Sequence, residues 1–215
     1  VKRSCAVAAM ALILPTVACG PKSPDYQSIW STTPTTTTTT TRVEKPVPLS
    51  QYLQNIGVTG QQVAPGNLPD LTVSIPTPPG WTAASNPHIA PETVMLSKGG
   101  KYPTARLVVF LLRGDFDPAQ VIQHGNDDAQ LFENFKQLDA STTPYNGFPS
   151  SMIQGSYDLD GTRLHSFNRI VIATGSPPAR QRYLVQLTIT GLANQAVEQS
   201  TDIETIMRGF VVAAK

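Results

Sequence analysis

Seven consecutive threonines, Thr35 to Thr41, divide this 215-residue chain into parts that must behave differently. A run of hydroxyl side chains with no apolar periodicity cannot bury enough surface to offset the entropy of ordering it. The same character extends from Gly20 to about Pro48, through Ser31-Thr32-Thr33-Pro34. Residues 19–48 therefore read as a tether that begins with Cys19. Its Ser/Thr content with Pro fits an O-glycosylated stalk or a bare flexible spacer. Its reach as a coil is roughly 30 Å, rising to about 90 Å when extended. Residues 49–215 are left as one globular domain, long enough to build a core of its own. That core has no disulfide to lean on, because no cysteine follows Cys19.

Ahead of the tether the pattern is that of export. Lys2 and Arg3 precede an apolar run from Ala6 to Leu14, and Pro15-Thr16-Val17-Ala18-Cys19 follows. The run is too short to cross about 30 Å of hydrocarbon as a helix. It has the length of a signal-peptide core, so residues 1–18 are expected to be removed. Small Ala18 before Cys19 has the shape of a lipobox, where the thiol receives diacylglycerol and the chain is cut just before it. The alternative is an ordinary secretory signal that contains a cysteine. Two acyl chains anchor a protein stably where one does not. The expected location is the extracytoplasmic face of the membrane, with the cell wall or release as further destinations. Loss of Lys2 and Arg3 takes the formal charge from +1 to −1. That balance gives no electrostatic case for nucleic acid.

Within the domain, Leu49, Tyr52, Leu53 and Ile56 follow helical spacing up to Gly57. Leu71, Val73 and Ile75 alternate with Thr72 and Ser74 as a half-buried strand, and 93–97 reads as another. Ala105 to Leu112 reads as one apolar run, consistent with a central strand. Asp117 then fits an N-cap with Pro118 at N1 and Gln120 at N3, and Phe116 with Val121 fits a hydrophobic staple. Ile122, Ala129, Phe132 and Phe135 continue that helix's apolar face. Residues 150–173 predict a hairpin about Asp160-Gly161. Its register sets Tyr157 opposite Leu164, Ile153 opposite Asn168, and Asp158 opposite Arg163. Tyr183, Val185, Leu187 and Ile189 alternate along a further strand, and Ile203, Ile206, Met207 and Phe210 repeat at helical spacing. The fold class expected is α+β, with a largely antiparallel sheet between helices.

Several stretches carry a family resemblance. They are Ala18-Cys19-Gly20-Pro21-Lys22-Ser23-Pro24-Asp25, Leu71 to Trp81, Asn146 to Leu159, and Gln181 to Thr190. Across nearly its whole length the chain resembles the mycobacterial LpqN/LpqT lipoprotein family. The resemblance implies a mycobacterial cell envelope and a PsbP-like α/β/α sandwich. It also implies lipid handling in the envelope, contact with the host, and a start at Val1 read from GTG. It supplies no catalytic residues.

The residues themselves supply none either. Zinc-protease, nucleophile-elbow, Cys-x-x-Cys and glycine-rich phosphate motifs are absent, and His88, His124 and His165 are scattered. Asp115 and Asp117 could suggest a metal, but capping accounts for Asp117. No enzyme, cofactor or metal is expected. One strand face could receive an anionic or sugar headgroup: Arg163, His165 and Arg169 alternate onto it, with Phe167 among them. The plainer reading is a solvated face with an Arg163–Asp158 cross-strand pair. Trp81, after Pro78-Pro79-Gly80, is a core or rim aromatic or else lines a groove. The leading function is a non-enzymatic envelope module that binds a lipid, a glycolipid or a partner protein in an apolar groove. The alternatives are a host-facing lipoprotein or antigen acting on a Toll-like receptor through acylated Cys19, and, third, a hydrolase. Replacement Cys19→Ala should move the protein from the detergent phase to the aqueous phase in a detergent partition. Unchanged partitioning would remove the anchor from this reading.

Overall fold

The computed structural model describes residues 46–215, so the expected signal peptide, Cys19 and nearly all of the tether lie outside the described residues. Helix α1 (Leu49–Asn55) opens the domain. Strands β1 (Thr59–Val63), β2 (Leu71–Ser74), β3 (Thr82–Ala83), β4 (Val94–Ser97) and β5 (Thr104–Arg113) follow. Then come α2 (Pro118–Val121), β6 (Lys136–Ser141), β7 (Ser150–Leu159), β8 (Thr162–Thr174), β9 (Arg182–Leu192), α3 (Ser200–Arg208) and β10 (Val211–Ala214). Eight strands form one antiparallel sheet in the order β3-β4-β5-β9-β8-β7-β6, with β1 paired to β5. Strands β4 and β1 share the edge of β5 that β9 leaves open: β4 takes 104–107 and β1 takes 109–113. Strands β2 and β10 make a separate two-stranded sheet.

Side-chain alternation assigns the two faces of the large sheet. On the first face, Leu107, Val109, Phe167, Val171, Tyr183, Val185, Leu187 and Ile189 pack against Ile203 and Ile206 of α3 and against Val73 and Val212 of the small sheet. On the second face, Val108, Phe110, Leu112, Ile170, Ile172 and Leu184 pack against Leu49 and Leu53 of α1 and against Phe116, Val121 and Ile122. The α+β class and the helix–sheet–helix layering expected from sequence are therefore those of the protein.

The hairpin β7–β8 has the expected register, with Tyr157 opposite Leu164, Ile153 opposite Asn168 and Asp158 opposite Arg163. Asp160 and Gly161 both take positive φ, 49° and 70°, as a two-residue turn of this hand requires. Asp117 caps α2 by accepting from the Ala119 amide at 2.9 Å.

Two helical expectations are corrected. Helix α2 stops at Val121, and Ile122–His124 and Asp127–Leu131 are separate 3-10 turns. The intervening Gly125-Asn126 is a poor helix pair. Gly125 also lies so close to Ser151 that a β-carbon would collide with the Ser151 hydroxyl, which fixes the chain's path there. Ile56 falls beyond α1 and is 39 % exposed, and Val58, fully buried, fills the core in its place. Sequence reading also missed β1, β3, β6 and β10. Strand β6 is exposed along almost its whole length and bulged between Gln137 and Asp139, so it offers no apolar alternation.

The amide of Leu49, at the start of α1, donates to the Asp128 carboxylate at 3.3 Å. Burial pushes the Asp128 pKa up to about 6, opposed by that hydrogen bond and reinforced by Asp127. A carboxyl whose folded pKa is raised binds more protons folded than unfolded, so it lowers stability as pH rises from about 4 to about 6. Asp128→Asn keeps an acceptor for Leu49 and removes the buried charge. In thermal melts the variant should gain on the parent between pH 4 and 6 and hold that gain above pH 6. A difference that does not vary with pH would refute this account of the α1 docking.

Candidate functional site

The second face changes character halfway along the sheet. Past the apolar rows under α1, the row Ile153–Asn168–Thr188–Arg106 crosses β7, β8, β9 and β5, and the next is Gly155–Ser166–Thr190–Thr104. Apolar packing resumes beyond them, where Tyr157 and Leu164 meet Phe132 and the Phe132 and Tyr157 rings stack at 4.1 Å. The polar rows are buried yet organised. The Asn168 carbonyl accepts from Gln186 Nε2 and from Thr188 Oγ1, each at 2.9 Å. The Asn168 amide nitrogen, in a residue only 2 % exposed, has no hydrogen-bond partner.

Where these rows reach β5 and β4, a cleft of about 590 Å³ opens. Its floor is Thr104, Arg106 and Thr190, continued by Met95 and Ser97, which lie opposite Arg106 and Thr104 across the β4–β5 ladder. The outer wall is the loop 84–89 after β3, shaped by Asn86, whose side chain accepts from the His88 amide at 2.9 Å. Lys101 and Tyr102 line it at one end, where Tyr102 neighbours Tyr157 and Leu159. Burial and the Tyr102 phenol raise the Tyr157 pKa, against smaller lowering effects of Arg106 and of a hydrogen bond with Thr190. Tyr157 therefore stays protonated and keeps its donor. A concave, largely pre-formed site with mixed apolar walls and a few convergent polar groups is the general form of a small-molecule site.

The residues singled out from sequence lie elsewhere. Arg163 is engaged by Asp158 at 3.1 Å, Ser156 at 2.7 Å and the Asn134 carbonyl at 2.9 Å. His165 meets Gln154 at 2.9 Å, and burial lowers its pKa. Phe167 is 2 % exposed and belongs to the first-face core. The Arg169 guanidinium lies over the Tyr145 ring at 4.7 Å and donates to Ser150. Trp81 is 4 % exposed, and its Nε1 donates to Asp202 at 3.0 Å. All five sit away from the cleft lining, on or beneath the first face, bound to other parts of the protein. Of the histidines, His88 reaches the cleft, while His124 stacks on Tyr52 at 3.8 Å and pairs with Asp127 at 2.9 Å. Among the described residues no cluster of His, Cys, Asp and Glu could hold a metal ion.

Residues 45–213 match the family model described as "Probable lipoprotein LpqN". The chain belongs to this LpqN lipoprotein family. It is 70 % identical over 210 residues to the lipoprotein LpqT of Mycobacterium leprae, covering 98 % of this chain and 95 % of the relative. To the LpqT of Mycobacterium tuberculosis it is 63 % identical over 210 residues, covering 98 % and 93 %. The crystal structure of LpqN, described as involved in cell envelope biogenesis of Mycobacterium tuberculosis, superposes with a TM-score of 0.65 at 19 % identity. That superposition covers 76 % of this chain and 96 % of LpqN, and it supports the fold. By family membership the chain is a lipoprotein, and among the described residues no helix is long and apolar enough to cross a membrane.

The sequence signal for the cleft was present but small. Arg106 interrupts the apolar run of β5, and Gln186, Thr188 and Thr190 occupy alternate positions of β9. A buried strand with polar residues at every second position on one face announces that this face is not filled by apolar packing.

Asp202 of α3 accepts from Trp81 and, at 2.8 Å, from Lys98 Nζ, and these bonds hold its carboxyl below the usual range. Asp202→Ala strands the indole N–H in the core, at a cost of about 1–3 kcal/mol. At about 2–4 °C per kcal/mol for a domain of this size, the melting temperature should drop by roughly 2–12 °C at neutral pH. Melting at the parental temperature would mean that the latch contributes nothing.

Proposed function

We propose that this chain is a non-enzymatic envelope lipoprotein, held at the extracytoplasmic membrane face through Cys19, whose domain binds a small amphipathic envelope molecule. The observation that carries the proposal is the cleft between loop 84–89 and the polar rows of β5 and β9. Its form differs from the apolar groove expected from sequence, since its floor is polar and its outer wall is a loop. Apolar contact with Ile89, Met95 and Leu159 favours a hydrocarbon at about 25 cal/mol per Å² removed from water. Thr104, Thr190 and Tyr157 offer hydroxyls that fix orientation. The role described for LpqN in envelope biogenesis is compatible with such a carrier or sensor, and the tether would let the domain sample the space beyond the membrane.

The test is titration of the full chain with a trehalose glycolipid and with a fatty-acyl probe, followed by analysis of the probe after long incubation. Saturable binding with intact probe is expected. Ile89→Trp, which fills the cleft, should weaken it at least about tenfold, the equivalent of 1.4 kcal/mol. Arg163→Ala and Arg169→Ala should leave it unchanged. Cleaved probe would make the protein a hydrolase, and absence of binding would leave an anchored lipoprotein whose domain has no small-molecule role.

A further inference from the structure

The charges around the cleft are of one sign. Its lining holds Arg106, Lys101 and His88, and neither an aspartate nor a glutamate. In a domain whose acidic and basic residues are otherwise nearly balanced, this is a local excess. Arg106 is half-buried on the floor, and the low-dielectric wall around it strengthens its attraction for a counter-charge. Lys101 is exposed at one end, 5.6 Å from the centre of the Tyr102 ring, and takes part in no ion pair among the described residues. The polarity of the walls is graded as well. Thr104, Arg106 and Thr190 lie on the central strands, whereas Ile89, Pro87 and Leu159 lie on the loop and at the strand end.

We propose that the cleft takes an amphipathic anion, its oxyanion head against Arg106 on the floor and within the field of exposed Lys101, its apolar tail along the half-buried Ile89 and Leu159. This rests on the cleft being the binding site, as proposed above, and adds the charge and direction of the ligand. Arg106 donates N–H groups in a fixed fork suited to a phosphate or carboxylate. The Tyr157–Thr190 pair, in which one hydroxyl bonds the other, adds a single hydroxyl donor beside it. A head placed at the mouth instead would lay a hydrocarbon tail against the polar Thr104, Arg106 and Thr190 floor, and taking those groups out of water against hydrocarbon is costly. Charge and polarity therefore both favour the head on the floor.

The experiment compares four probes by calorimetry with the full chain, each below its micelle concentration. They are dodecyl phosphate, dodecyl glucoside, dodecyltrimethylammonium and inorganic phosphate. Dodecyl phosphate should bind at least about tenfold more tightly than each of the others, a margin that shrinks as salt is added. Arg106→Gln should erase its advantage over the glucoside while leaving glucoside binding intact. Lys101→Gln, at an exposed loop position that cannot compromise folding, should reduce the same advantage several-fold. Equal binding of the glucoside would overturn the anionic head and leave the cleft a neutral-lipid site. Equal binding of inorganic phosphate would overturn the amphipathic ligand and leave an oxyanion site alone. Failure of all four to bind would count against the cleft itself, and with it the functional reading on which this rests.

Discussion

Strand β9 is the constraint on which the rest of the molecule depends. It lies between β5 and β8, paired along nearly its whole length on both sides, so every one of its side chains must be satisfied inside the protein. Its odd positions from Tyr183 through Val185 and Leu187 to Ile189 are buried in the first-face core and demand a continuous cover. Helix α3 and the β2–β10 pair supply it. On its even positions apolar Leu184 follows Arg182 at the strand start, and Gln186, Thr188 and Thr190 are then polar before Leu192 ends the strand. The second face can therefore be covered by apolar helices only at one end, and that is where α1 and α2 sit.

The polar half of that face needs hydrogen-bond partners rather than contacts. Leaving a buried amide or hydroxyl unpaired costs about 1–3 kcal/mol, so the network around Asn168 is a requirement of the fold once those residues are in place. Asn168 receives two hydrogen bonds on its carbonyl and leaves its amide nitrogen unmatched. The hydroxyls and the guanidinium nearest the β4 edge face the cleft instead of a packed layer. The site is thus the place where the sheet's polar face runs out of covering structure.

This division explains what was legible in the sequence. The β7–β8 hairpin read correctly down to register, and β9 read correctly as an alternating strand, because a one-residue slip would expose a whole apolar set. Helix α3 read correctly because its stripe of Ile203 and Ile206 is unbroken. The segment after α2 misled because its apolar residues, Ile122, Ala129 and Phe132, are spaced well enough for a helix yet are delivered by separate turns around Gly125. Strands β1 and β6 carried almost no apolar signal, since tertiary pairing rather than their own composition makes them strands. The alternating basic residues of β8 drew attention for their pattern, but periodicity says which face a residue occupies and not what already occupies that face. Arg163 and Arg169 are held by Asp158 and by Tyr145, and those partners come from other strands and loops.

The cleft wall depends in turn on the opposite side of the sheet. Trp81 and Lys98 bracket the excursion that contains β3, loop 84–89 and β4, and both donate to the single carboxylate of Asp202 on α3. The indole is sunk in the first-face core, so this end of the excursion is fixed by apolar packing as well as by the hydrogen bond. The two residues of β3 pair only with the end of β4, through Thr82–Ser97 and Ala83–Leu96, a ladder too short to hold a loop by itself. The loop's position is therefore set from its ends, by a helix that never touches the cleft lining. The side chains that would tell one ligand from another are those of the loop and floor, chiefly His88, Ile89, Lys101 and Arg106. They can change without disturbing Trp81 or Asp202, which is how one scaffold of this kind can serve different ligands.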